Sequence, residues 1–234
     1  MNWTALALSL KLAAIVSTTL LLVSLPLGYW LAFSRRRWKF LVEAVVALPI
    51  VLPPTVMGFY LLILMGPRGA FGAWWTRLTG HALAFTFAGL VVGSVVYSLP
   101  FCVQPIAASF MSVDTSLLAA SATLGASRWR TFWRIVFPLS LPGVIAGAVL
   151  SFAHTIGEFG VVLMIGGSIP GATQTISIAI YDDVQALDYA SANHAALVLL
   201  GVSFAALALT YALNARGRNR SASPSRAVSP WMMR

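Results

Sequence analysis

Few side chains in this sequence have the type and spacing that covalent chemistry needs. His81, His154 and His194 lie far apart without metal-ligand spacing. The single cysteine, Cys102, sits in an apolar stretch, which excludes an intrachain disulfide and a multi-cysteine metal site. No Gly-x-x-x-x-Gly-Lys-Ser/Thr phosphate loop occurs, so any ATP the protein depends on is hydrolysed by a partner. Neither a His/Asp/Glu cluster nor a Ser/His pair falls at converging depths in the apolar segments, which argues against an intramembrane enzyme. No cofactor and no metal are expected. Glu158 stands apart, in Phe152-Ala153-His154-Thr155-Ile156-Gly157-Glu158-Phe159-Gly160. A charge at mid-bilayer costs about 2.5–3.5 kcal/mol on insertion scales, so such a residue faces protein or water and has a partner. His154, four residues earlier, shares its face of a continuous helix. A proton relay and a structural role at a helix break between Gly157 and Gly160 are both open; the second is the expectation.

The other informative spacing is mechanical. Residues 116–124 are small and apolar, with good helix propensity at Leu117, Leu118, Ala119, Ala120 and Ala122, and the run stops at Gly125. Glycine permits a left-handed turn or a close backbone approach, either of which suits a helix end that abuts a partner. Arg128, Arg130 and Arg134 then interleave with Trp129, Phe132 and Trp133, as an interfacial amphipathic helix requires, and Pro138 stands near the start of the next apolar span. Prolines mark two further places. Pro49, Pro53 and Pro54, followed by Thr55, should break the second span, and Pro100 and Pro105 should do likewise near the end of the third. Helices so interrupted suit a moving pathway, with Pro53, Pro54, Thr55, Ser98, Thr155 and Glu158 as its candidate lining.

The elements that must position these residues are membrane spans. The 234-residue chain is 59% hydrophobic and only 9% charged, with mean hydropathy +0.86, so lipid is the solvent for most of it. Runs long enough to cross about 30 Å of hydrocarbon lie at residues 12–34, 44–66, 82–101, 135–164 and 195–214. An all-α integral membrane protein with about five spans follows, its termini on opposite sides. Arg35, Arg36, Arg37, Lys39, Arg128, Arg130, Arg134, Arg216, Arg218, Arg220, Arg226 and Arg234 fall on one side if the amino terminus is outside. Only Lys11, Arg68 and Arg77 lie at or near the other. The basic side is expected to be cytoplasmic, which places loop 114–134 and the carboxyl terminus there. The net charge of +9 is then accounted for by topology and anionic lipid, with no nucleic-acid partner. Residues 215–234, rich in Ser, Arg and Pro, read as a disordered basic cytoplasmic tail. The outer segment 168–194 carries Asp182, Asp183 and Asp188; an acidic rim suits docking of a soluble protein better than capture of a free anion.

Ala119-Ala120-Ser121, Gly125, Ile135, Phe137 and Pro138 follow the spacing of the coupling loop of bacterial ABC importer permeases, which reads Glu-Ala-Ala, three residues, Gly, nine residues, Ile-x-Leu-Pro. Ala119 stands where that pattern has Glu. Leu52-Pro53-Pro54-Thr55-Val56-Met57-Gly58, Tyr97-Ser98-Leu99-Pro100-Phe101 and the block from His154 to Gly167 resemble the permeases of molybdate importers, from about residue 12 to 213. The Gly157-Glu158-Phe159-Gly160 block is shared in kind with sulfate/thiosulfate permeases. The resemblance implies a type I importer bundle working as a homodimer. Two cytoplasmic ATPase subunits would dock at Ala119, Ala120, Ser121, Gly125, Ile135 and Pro138. A periplasmic or lipoprotein binding protein would deliver molybdate or tungstate. A sulfate permease is the alternative, and a stand-alone channel or carrier a more distant one.

Overall fold

The computed structural model describes residues 2–221, with side chains as far as residue 212. Asn2 opens helix α1 (Trp3–Phe33), its side-chain oxygen accepting the Ala5 N–H at 3.0 Å. Thr18 and Thr19 on that helix donate their hydroxyls to the carbonyls of Ala14 and Ile15, so a lipid-facing surface carries no unmet donor there. The helix begins well before the expected residue 12 because Lys11 does not end it: its Nζ lies 4.9 Å from the centroid of the Phe87 ring.

Helices α2 (Lys39–Val51) and α3 (Pro54–Met65) replace the expected second span and meet at 113°. Pro53 and Pro54 both lack an N–H, and a residue before proline is driven extended, so Leu52 and Pro53 adopt ψ of 136° and 138°. Pro54 then fills the first position of α3, where its missing donor costs nothing. Amphipathic α4 (Ala70–Thr79) ends at left-handed Gly80 and leads to α5 (Phe87–Met111), whose cap, Thr86 Oγ1, accepts the Gly89 N–H.

The expectation of a break at Pro100 and Pro105 fails: α5 runs through both. It lies between α1 and α8 (Phe137–Gly157), and protein packed on both sides tolerates the lost hydrogen bonds. Between α5 and α8 come α6 (Thr115–Thr123), α7 (Arg128–Thr131) and a π-helical turn, Phe132–Val136. After α8 come the short α9 (Gly160–Gly166), then α10 (Ile176–Gln185) and α11 (Tyr189–Ser221). No strand occurs among the described residues. Helix α11 carries the backbone past the expected boundary at 214, and residues 222–234 of the expected tail lie outside the described residues.

The core is the triple contact of α1, α5 and α8. Small residues make it close: a Cβ on Gly28 would lie 3.0 Å from Ile106, and one on Gly147 would lie 2.8 Å from the Cys102 carbonyl oxygen. Leu12, Val16, Leu20, Ile106 and Phe110 fill the space between. Four described helices are long and apolar enough to cross a membrane, and the α2–α3 pair makes a fifth if it counts as one broken span.

Candidate functional site

Two constructions stand out. The first joins α5 to α8. Asp114 caps α6, its Oδ1 accepting the Ser116 N–H at 2.8 Å, and these bonds hold the carboxyl below the usual carboxylate range. At the other end Gly125 turns left-handed at φ +71°; its N–H donates to the Ala122 carbonyl and the Ala126 N–H to that of Ser121. That pair of bonds is a Schellman closure, which satisfies the last carbonyls of a helix. Ser121 is buried, its Oγ 2.6 Å from Thr131 Oγ1, so α6 and α7 are clamped to each other. Ala119, Ala120 and Gly125 are exposed, whereas Ile135 sits half-buried in the π-helical turn against the core. Pro138 stands in the first turn of α8, exposed.

A ring cluster connects this segment to the bundle. Phe132 lies 5.3 Å from Tyr29 and 5.9 Å from Phe110, and Trp133 lies 5.0 Å from Phe137, centroid to centroid. These contacts tie the ends of α1 and α5 and the start of α8 to the π-helical turn through packed rings. Nothing in the sequence pattern announced the π-helical turn. Its aromatic content was visible, but not the extra residue in the turn.

The second construction is the junction of α3 with α9. The chain breaks at Glu158, which has extended backbone (ψ 132°) and is only 6% exposed. Glu158 Oε1 accepts the Val161 N–H at 2.7 Å, supplying an acceptor to an otherwise orphan donor at the start of α9. His154 Nε2 lies 3.9 Å from the second carboxylate oxygen, and its ring stacks 3.9 Å from that of Phe101. The two helices touch through glycine. A Cβ on Gly160 would lie 2.6 Å from Pro54 Cβ, and one on Gly58 would lie 2.7 Å from Met164 Cβ. Pro53, Pro54 and Thr55, exposed at the head of α3, are thus brought to the Glu158 break. Gly58 and Met164 were not singled out from the sequence, because a glycine's neighbour on another helix has no sequence signature.

Ser98 and Thr155 are placed elsewhere than on an open lining. Both are buried inside the bundle, 3.1 Å apart. Thr155 Oγ1 donates to the Ser151 carbonyl, which leaves the Ser98 hydroxyl as donor to Thr155 and makes the pair a cross-link between α5 and α8. No group of three or more His, Cys, Asp or Glu side chains able to hold a metal exists among the described residues.

Residues 24–219 match the family model described as the binding-protein-dependent transport system inner membrane component. The chain belongs to that family. The permease is 50% identical over 207 residues to the molybdenum transport system permease protein ModB of Azotobacter vinelandii, covering 88% of this chain and 92% of that one. It is 43% identical to the Escherichia coli K12 protein of the same name, covering 79% and 80%. A probable sulfate transport system permease protein from Chlorokybus atmophyticus is 32% identical, covering 75% of the permease and 63% of its own length. Among solved structures, the permease superposes on a chain of a bacterial alginate ABC transporter with TM-score 0.71 at 17% identity, covering 94% and 79%. It superposes on a chain of the MetNI methionine ABC transporter with TM-score 0.70 at 16% identity, covering 91% and 96%. The fold is that of an ABC importer permease, and the expectation of an all-helical membrane bundle of this kind holds. The permease is an inner-membrane transport component and not an enzyme; ATP hydrolysis belongs to a separate subunit.

Proposed function

We propose that the permease is the membrane subunit of a molybdate importer, tungstate being the near chemical equivalent, and that it works as a homodimer driven by two cytoplasmic ATPase subunits. The observation that carries this reading is the α6 segment at the spacing of a coupling loop, in a chain half identical to a molybdenum transport permease. Loop 114–134, with Ala119, Ala120, Ser121 and Gly125, docks on the ATPase, while Ile135 and Pro138 join it to α8. ATP-driven closure draws the two α6 helices together. The clamped α6–α7 unit and the ring cluster pass that movement to α1, α5 and α8, and the α3–α9 junctions part or close. One bistable assembly is thereby biased by nucleotide at one end and by a loaded binding protein at the other. Pro53, Pro54, Thr55 and Glu158 lie at that junction; Ser98 and Thr155 stiffen the wall behind it. Helices α1, α3, α5, α8 and, as far as residue 212, α11 carry no Arg, and their one Lys is Lys11 near the head of α1, so recognition of the oxyanion falls to the binding protein.

The deciding experiment is ATP-dependent uptake of labelled molybdate into proteoliposomes holding permease, ATPase and binding protein, with excess sulfate as competitor. Uptake that needs all three proteins and resists sulfate is expected. Uptake suppressed equally by sulfate moves the protein to the sulfate branch, and uptake without ATP removes the coupling mechanism.

A further inference from the structure

The coupling segment has an unusual charge pattern for the docking role proposed above, and this inference rests on that role. From Thr115 to Thr123 helix α6 carries no charged side chain. Ala119, exposed, stands where the coupling pattern has Glu, and the neighbouring acid, Asp114, is engaged in capping its own helix. Leu124, at the tip before the left-handed turn, is 86% exposed, the highest value of any large hydrophobic side chain among the described residues. It lies in the segment between the spanning helices α5 and α8. Leu117, Ala119 and Ala120 extend the same uncharged surface. Beside it Arg128 and Arg130 are exposed on α7, held in place through the Ser121–Thr131 hydrogen bond, and neither forms an ion pair among the described residues.

We propose that this permease docks to its ATPase through an apolar peg with a basic collar. Leu124 enters an uncharged pocket of the ATPase, the alanines allow the backbone of α6 to lie close against it, and Arg128 and Arg130 meet acidic residues on the pocket's rim. The charge sense is the reverse of a coupling helix led by Glu. A lipid surface would attract the two arginines and accept the leucine as well, but the coupling-loop spacing from Ala119 to Pro138 favours a protein partner here. A protein pocket with an acidic edge accounts for both. Apolar anchors ringed by polar contacts are the usual anatomy of a binding hot spot, and rim charges act mainly on association rate and salt dependence.

The test uses full-length permease in phosphatidylcholine nanodiscs, titrated with its partner ATPase subunit, at low and high salt. Leu124→Ser, which alters an exposed side chain only, should weaken binding by about tenfold or more at either salt, given the transfer free energy of a leucine side chain. The double variant Arg128→Gln/Arg130→Gln should lose most of the salt dependence, and Ala119→Glu should weaken binding several-fold. Tighter binding by Ala119→Glu would show a basic groove and overturn the proposal, as would unchanged binding by Leu124→Ser. A double arginine variant that binds ATPase normally but loses affinity for phosphatidylglycerol vesicles would assign the collar to lipid instead. Absence of ATPase binding by the unaltered permease would remove the docking role itself, and with it this inference.

Discussion

At Gly125 the cost of a side chain is conformational and not steric, since nothing lies within 4 Å of the position a Cβ would take. Gly125→Ala should therefore cost only about 1 kcal/mol for holding a left-handed backbone and should transport nearly as well as the parent. Gly125→Arg adds bulk and charge at the docking tip, so uptake should be abolished while the protein still assembles in the membrane. Near-normal uptake by that variant would remove the coupling role. Asp114 acts at the other end of the helix. Its folded carboxyl is held below the ordinary value, so the cap's contribution is complete above the ordinary carboxylate range and disappears as pH falls through the lowered one. Docking should accordingly be insensitive to Asp114 ionisation at neutral pH, and Asp114→Asn, which keeps the acceptor, should bind ATPase normally. Glu158 serves as the acceptor that starts α9. Glu158→Gln keeps an oxygen for the Val161 N–H and should retain uptake, whereas Glu158→Ala strands a buried donor at a cost of about 1–3 kcal/mol, visible as a lower Tm. Collapse of uptake in the Gln variant at unchanged Tm would instead put Glu158 in the pathway.

Between elements, the α3–α9 contact is where small changes should separate transport from docking. Gly160→Val would drive a branched side chain into Pro54, and Gly58→Ala would press on Met164 and on the Val161 backbone. Overpacking of this kind typically costs about 1–3 kcal/mol; both variants should lose uptake while binding the ATPase with unchanged affinity, because α6 lies at a different place in the fold. Equal loss of both would mean that the two constructions fold as one unit. The sequence made the proline break in the second span legible, because two adjacent residues without N–H groups leave a helix no alternative. It did not make the 113° angle legible, since that angle depends on what α3 packs against. The same reasoning misjudged α5: Pro100 and Pro105 are chemically identical to Pro53 and Pro54, but each stands alone in a helix enclosed by α1 and α8. The α6 segment was legible from its small residues and terminal glycine, which act locally, whereas its cap at Asp114 came only from the structure. The contact between Ser98 and Thr155 was not legible, for the opposite reason. A hydroxyl in a span serves equally to line a cavity or to cross-link two helices, and only the neighbour across the gap decides which.

For the whole molecule, the orientation rests on charge. The ring cluster joins the end of α1, the end of α5 and the π-helical turn, so Arg35, Arg36, Arg37 and Lys39 emerge on the same side as Arg128, Arg130 and Arg134. The excess of Lys and Arg on that side is the basis for our proposal that it faces the cytoplasm. The one native thiol offers a clean way to measure this. Cys102 is fully buried in the α1–α5–α8 core, out of reach of a soluble reagent, so the parent protein should be silent to maleimides. His81 and Ser116 are exposed at opposite ends of α5. In intact cells, His81→Cys should react with a membrane-impermeant maleimide and Ser116→Cys should not. In inverted membrane vesicles the pattern should reverse, and added ATPase should then protect Ser116→Cys. Labelling of Ser116→Cys from outside would invert the molecule, and an inverted molecule could not present α6 to a cytoplasmic ATPase at all. The orientation and the coupling mechanism therefore stand or fall on the same pair of residues.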